Sequence, residues 1–308
     1  MLSLPQSSLF ALAAALALTG CAAGESPPVE TNDARITIVA STSVYGDIAA
    51  TVGGDRVTVT SIIDSPTSHP GEYEPTPSDA AAVAAAQLVL VNGGGYDPFL
   101  PPLVDAAGGD RAVLVVTEIS GLQPAEPADA EFNEHVWFSL NSMQRLATSL
   151  ADTLGTISPD GAAAFTANAE ALNGELDGLL AELETIRAQH AGTRVAATEP
   201  LPLYLLEDAG LVNATPDEFM EASEEGTDAP AAIVQQTLEL MSGDQPVRVL
   251  LLNTQTQTPA TDLLQQAALE ADVPVVEVNE TLPEGSDGFV AWMRDQIAAL
   301  AAALDQSR

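Results

Sequence analysis

The chain has 308 residues and carries nine Lys+Arg against 44 Asp+Glu, a formal net charge of −35 at pH 7. All nine basic residues are Arg, too few for a surface that neutralises many phosphates or docks on anionic lipid through a basic patch. A hydrophobic fraction of 46% excludes disorder throughout, the length suits roughly two domains, and the charge favours solubility and attracts cations.

Taken from the amino terminus, residues 8–20 form an apolar run too short to cross a bilayer permanently, the pattern of a signal-peptide core. Leu18-Thr19-Gly20-Cys21 has the small-residue spacing of a bacterial lipobox, which predicts cleavage before Cys21 and lipidation of its thiol. A plain secretory signal with an incidental Cys is the alternative, and the segment before the run lacks the usual Lys or Arg. Cys21 is the only cysteine, so intramolecular disulfides and thiolate metal sites are excluded. Residues 22–34 read as a flexible tether. The expectation is a soluble body tethered by lipid outside the cytoplasmic membrane.

A β-rich run over 35–40 comes next, then a helix over 44–52 closed by Gly53-Gly54, and a second strand over 57–63. A loop rich in Pro, Ser, His and Gly leads to Ser78-Asp79, read as the cap of an Ala-rich helix over 79–87. Strands are predicted over 88–91, ended by Asn92-Gly93-Gly94-Gly95, and over 112–117. Ser158-Pro159 opens a long helix whose Phe165, Leu172, Leu176, Leu179, Leu183 and Ile186 share one face. At 1.5 Å per residue it is roughly 45 Å long. The alternation then restarts, with strands over 194–197, 246–252 and 274–278 and helices over 203–209, 260–271 and 286–305. The predicted class is α/β: two βα lobes with parallel-rich sheets, 35–157 and 192–308, joined by one spine helix over 158–191. Ligands of such sheets bind beyond the carboxyl ends of the strands, which directs attention to the space between the lobes.

The chain has three histidines. His69 lies in the loop after the second strand, and His135 sits in Phe132-Asn133-Glu134-His135-Val136-Trp137, just before a helix. His190 ends the spine helix, where a cation suits the helix dipole. Glu199 and Glu280 each follow a strand of the second lobe. Two imidazoles and two carboxylates, two from each lobe, form a plausible shell for a first-row divalent cation. Nucleophilic catalysis finds little support, since a Gly-x-Ser-x-Gly elbow and an available Cys are missing, and His-Glu-x-x-His is absent.

At these residues the chain resembles the zinc- and manganese-binding solute-binding lipoproteins of bacterial ATP-driven metal importers. The resemblance rests on Val39-Ala40-Ser41-Thr42-Ser43-Val44-Tyr45-Gly46-Asp47-Ile48, on Tyr73-Glu74-Pro75-Thr76-Pro77-Ser78-Asp79, on Glu134-His135-Val136-Trp137, and on the segment from Glu280 to Trp292-Met293. It covers nearly all of the mature chain and implies a metal held between two lobes by four ligands. Carried over, the second is His135, the third Glu199, and the fourth falls near Glu280. The first is the departure: the position two residues before Tyr73 is Gly71, so His69 is expected to serve, with Glu72 as the alternative. The acidic stretch before His135 lacks the histidines frequent in zinc-selective members. Two nitrogens and two carboxylates tilt toward Mn²⁺, while intrinsic affinity favours Zn²⁺, and both stay open.

The resemblance further implies delivery of Zn²⁺ or Mn²⁺ to an ABC-transporter membrane permease. A monomer without enzymatic activity or nucleic-acid partner is expected. A solute-binding protein for an organic ligand and a metal-dependent hydrolase are the rivals.

Overall fold

The computed structural model describes residues 35–65, 71, 73–122 and 132–306. Cys21 with its signal and tether, His69 and Glu72 lie outside the described residues.

The first lobe is a four-stranded parallel sheet in the order β2-β1-β3-β4, formed by β1 (Ile36–Thr42), β2 (Val57–Ile63), β3 (Leu88–Val91) and β4 (Ala112–Val115). Its connections include α1 (Ser43–Gly53), α2 (Pro77–Ala85), α3 (Leu100–Ala107), α4 (Val116–Ser120) and α5 (Leu140–Ile157). β3 is buried along its whole length, as a strand covered by helices on both faces must be. The cap of α2 is Thr76 rather than Ser78-Asp79: Asp79 Oδ2 accepts from Thr76 N at 2.7 Å, and the Thr76 hydroxyl completes a capping box. Pro77 occupies the first helical position, where a missing N–H costs nothing. Tyr73 donates to the same Asp79 carboxylate at 3.0 Å, so the Tyr73-to-Asp79 motif is a self-braced helix start.

The spine is α6 (Ala162–His190), preceded by a 3-10 turn over Pro159–Gly161, so the α-helix begins three residues after Pro159. Phe165, Leu172, Leu176, Leu179, Leu183 and Ile186 are all buried, as their spacing predicts. Gly174 and Gly178 face open space. His190 closes the helix and pairs with Asp305 at 3.2 Å.

The second lobe repeats the plan in the order β6-β5-β7-β8, with β5 (Arg194–Ala197), β6 (Val212–Asn213), β7 (Leu250–Asn253) and β8 (Val275–Val278), all parallel. Its helices are α7 (Leu203–Asp208), α8 (Asp217–Glu224), α9 (Ala231–Ser242), α10 (Pro259–Glu270) and α11 (Phe289–Gln306). Two strands are shorter than their patterns suggest. The fourth stops at Val115 because Thr117 N turns to Asn92 O, and the 246–252 run starts late because Val247 N closes α9 on Leu240 O. One hydrophobic core runs through both sheets, the stripe of α6 and the inner face of α11.

Candidate metal centre

Parallel strands deliver the site. Asn92 directly follows β3, Thr198-Glu199 follow β5, Asn253 ends β7 and Asn279-Glu280 follow β8, all at carboxyl ends, where such sheets place ligands. A cleft of about 570 Å³ opens there, lined on the first-lobe side by Gly71, Gly95, Tyr96, Glu134 and His135. The second lobe contributes Glu221, Glu224, Gln255, Thr256 and Glu280 among others.

His135 is buried, and its tautomer follows from its neighbours. The Asn133 amide nitrogen donates to Pro200 O at 2.9 Å, which leaves Asn133 Oδ1 as the acceptor facing His135. That oxygen lies 3.1 Å from His135 N and 2.8 Å from His135 Nδ1, so Nδ1 donates to it and Nε2 is the ring nitrogen turned toward Glu224. Hydrogen bonding of the second ring nitrogen is how metal-binding imidazoles are oriented. The carbonyl of Asn133 accepts from Tyr204 at 2.7 Å, and Asn92 Nδ2 holds Glu134 O at 3.1 Å. The loop is thus fastened to both lobes. Behind it, Asp97 takes the backbone N–H of Asn92 at 2.6 Å and of Gly93 at 2.9 Å. Burial raises the Asp97 carboxyl pKa, and these two N–H donors oppose that rise.

Glu199 and Glu280 meet at Asn253. Its Nδ2 lies 2.5 Å from Glu199 Oε2 and 3.0 Å from Glu280 Oε1. The Gln255 side chain holds the loop beyond β8, accepting from the Glu280 N–H and donating to Thr281 Oγ1 at 3.1 Å. Tyr96 reaches from the first lobe to Glu280 Oε2 at 3.4 Å. Burial, then the nearby Glu280 charge, raises the Tyr96 pKa well above 10, so the phenol remains a donor.

Burial also lifts Glu199 from the ordinary 4.5 to about 8. The Asn253 hydrogen bond works against this rise and the Glu280 charge adds to it. Glu199 Oε1 is buried with no partner of hydrogen-bonding geometry among the described residues, although Thr256 is near enough to favour the charged form. An orphaned carboxylate oxygen beside a second carboxylate is what a bound cation would satisfy.

The structure therefore brings Glu199 and Glu280 together and sets His135 and Glu280 on one cleft. A further group of potential donor atoms among the described residues, however, is Glu134, His135 and Glu224, all within 4.8 Å of one another. Glu224 Oε1 lies 3.3 Å from His135 Nε2. Sequence reasoning assigned no ligand role to Glu134, although it adjoins His135, and passed over Glu224 altogether. In a chain with 44 acidic residues, nothing local distinguishes either from a solvated carboxylate.

Two α/β lobes backed by one long helix, with His135, Glu224 and Glu280 around a common cleft, give the architecture of a two-lobed binding protein. The family model described as ZnuA, zinc-uptake complex component A periplasmic, matches residues 38–303, and the chain belongs to that family. Over 157 residues it is 35% identical to the manganese-binding lipoprotein MntA of Halalkalibacterium halodurans, covering 51% of each chain. It is 22% identical to the manganese ABC transporter substrate-binding lipoprotein scaA of Streptococcus gordonii over 267 residues, 79% of this chain and 84% of that one. The chain spans about half the length of the first curated relatives it matches. The periplasmic zinc-binding protein TroA of Treponema pallidum shares the fold at a TM-score of 0.73 and 18% identity, covering 89% of this chain and 100% of that one. A crystal structure of ZnuA does so at 0.72 and 22%, covering 89% and 99%.

Proposed function

We propose that the protein captures Mn²⁺ or Zn²⁺ in the interlobe cleft and hands it to the membrane permease of an ABC importer. The observation that carries this reading is His135. It is buried, its Nδ1–H is fixed on Asn133, and its Nε2 faces carboxylate oxygen across a cleft rich in carboxylates. A neutral imidazole with hard oxygen donors suits a first-row divalent ion. His135, Glu199 and Glu280 are the ligands this reading assigns from the described residues. His69 completes the set from the sequence, with Glu72 as the alternative.

The protein acts by binding rather than by catalysis and works as a monomer. Lipidation at Cys21 tethers it to the extracytoplasmic face of the membrane. Two observations support this location: the lipobox-like Leu18-Thr19-Gly20-Cys21, and the absence, among the described residues, of any helix long and apolar enough to cross a membrane. The relatives named as manganese-binding and substrate-binding lipoproteins point the same way.

The test is calorimetric titration of the metal-free protein with Mn²⁺ and Zn²⁺, beside His135→Ala and Glu199→Ala. Parent-like affinity in both variants would show that the site lies elsewhere. Loss of binding in both, with the fold intact by circular dichroism, is the expected result.

A further inference from the structure

Glu280 stands where its loop passes from one lobe to the other. On the second-lobe side the loop is held by the residues that follow β7. Thr254 Oγ1 donates to Asn279 Oδ1 at 2.7 Å, and the Gln255 side chain accepts from the N–H groups of Glu280 and Thr281. One residue later the partner changes. The Leu282 N–H goes to Ser43 Oγ at 3.3 Å, and the Phe289 N–H, at the start of α11, goes to Asp47 Oδ2 at 2.8 Å. Ser43 and Asp47 lie four residues apart on α1, so they share one helix face, and that helix belongs to the first lobe.

The loop between these two anchors is tightly folded. The Ser286 N–H returns to Pro283 O at 3.1 Å, and Leu282 packs against the main core. Gly288, at φ +97°, lets the backbone come close to the Asp47 carboxylate. Glu280 is therefore followed directly by a segment fastened to α1.

The same start of α1 supports the opposite wall of the cleft. The Tyr45 hydroxyl donates to Asn92 Oδ1, and the Asn92 amide holds the Glu134 carbonyl at 3.1 Å, one residue before His135. Val44, Tyr45, Ile48, Ala49 and Val52 are buried, which leaves α1 little freedom to shift. One rigid helix start thus braces the His135 loop through Tyr45 and the Glu280 loop through Ser43 and Asp47.

We propose that Ser43 and Asp47 are positioning residues for Glu280, so that the start of α1 sets the separation of Glu280 from His135 and thereby how tightly the cleft holds a divalent cation. Both act through the loop and not as ligands. The inference rests on the reading that His135 and Glu280 hold the metal.

The test measures Zn²⁺ affinity of the metal-free protein by competition against a fluorescent chelator, since Zn²⁺ binds such sites more tightly than Mn²⁺ and keeps weakened variants measurable. Co²⁺ is the second probe, its visible absorption reporting the ligand geometry. Asp47→Ala is expected to weaken Zn²⁺ binding by about tenfold or more, the range for residues that orient a metal ligand, and to alter the Co²⁺ spectrum. Asp47→Asn keeps an oxygen acceptor for the Phe289 N–H and should restore most of the affinity. Ser43→Ala, the milder change, should cost roughly two- to tenfold, the worth of one neutral hydrogen bond. In a Glu280→Gln background neither alanine variant should add a further loss, because the effect passes through Glu280. Ile297→Val trims the buried face of α11 without touching the loop and should match the parent. Should Asp47→Ala not fold, Ser43→Ala carries the same comparison. Parent-like affinity and Co²⁺ spectra in the alanine variants would overturn the proposal. An undiminished further loss in the Glu280→Gln background, or an equal loss in Ile297→Val, would overturn it too, because the effect would then be a general loosening of the fold. Parent-like binding by Glu280→Gln itself would overturn the reading of Glu280 as a ligand and this proposal with it.

Discussion

Glu199 and Glu280, 81 residues apart in the chain, share one donor: the Asn253 side-chain amide, 2.5 Å from Glu199 and 3.0 Å from Glu280. The amide satisfies one oxygen of each carboxylate and keeps two buried acidic groups side by side. Asn253→Ala should therefore destabilise the metal-free protein by about 1–3 kcal/mol, the cost of leaving buried acceptors unsatisfied. Urea unfolding at pH 7 measures this, and saturating metal should recover part of the loss by binding only the folded state. Equal unfolding midpoints in parent and variant would mean the shared amide contributes nothing.

The raised Glu199 carboxyl has a signed consequence. Its pKa is about 8 in the fold against 4.5 ordinarily, so the native state holds a proton that the unfolded chain has lost. That contribution to stability is complete below about pH 4.5 and declines as pH rises through 8. The metal-free protein should lose stability over this window, and Glu199→Gln should lose less. Metal uptake at Glu199 near pH 7 should expel about one proton. Calorimetry in buffers of different ionisation enthalpy counts it, and an unchanged proton count in Glu199→Gln would contradict the assignment.

Asn133 fixes the His135 ring through Nδ1. Asn133→Ala frees Nδ1 and releases the Pro200 carbonyl, so affinity should fall by about 10–100-fold, less than in His135→Ala. Competition against a fluorescent chelator gives both values. A variant as tight as the parent would show that ring orientation is set by packing against Tyr96 and Trp137 instead.

Asp47, on α1 of the first lobe, accepts the N–H of Phe289 at the start of α11 at 2.8 Å. Burial raises the Asp47 pKa and this N–H lowers it. The contact caps a second-lobe helix with a first-lobe carboxylate, so Asp47→Ala should cost about 0.5–2 kcal/mol. Gly288 has φ +97° and lies so close that an added Cβ would sit 2.9 Å from the Asp47 carboxylate oxygens. Gly288→Ala should destabilise through the same contact, and thermal unfolding of both variants and their combination would expose the coupling as a non-additive sum.

The alternation of strands and helices was legible because buried parallel strands such as Leu88–Val91 are short apolar runs and because the α6 stripe keeps helical spacing over 29 residues. Less legible were α8 and α9, which have few buried positions and stand among acidic or small residues. The capping pattern was misread by two residues at α2, since Thr76 and Ser78 are both acceptable caps and only Pro77 at the first helical position separates them.

The sequence by itself determined the α/β class, the spine helix, the scarcity of nitrogen donors that singles out His135, and the position of Glu199 and Glu280 at strand ends. Tertiary structure decided the rest. Asn133 binds one ring nitrogen of His135, Asn253 joins two distant carboxylates, burial raises the Glu199 pKa, and α8 carries Glu224 to the imidazole. Each of these depends on groups distant in the chain or on exclusion of water. Local pattern encodes periodicity and turn chemistry, but it carries neither the distance between loops nor the dielectric around a carboxylate, and those two quantities turn an acidic residue into a candidate ligand.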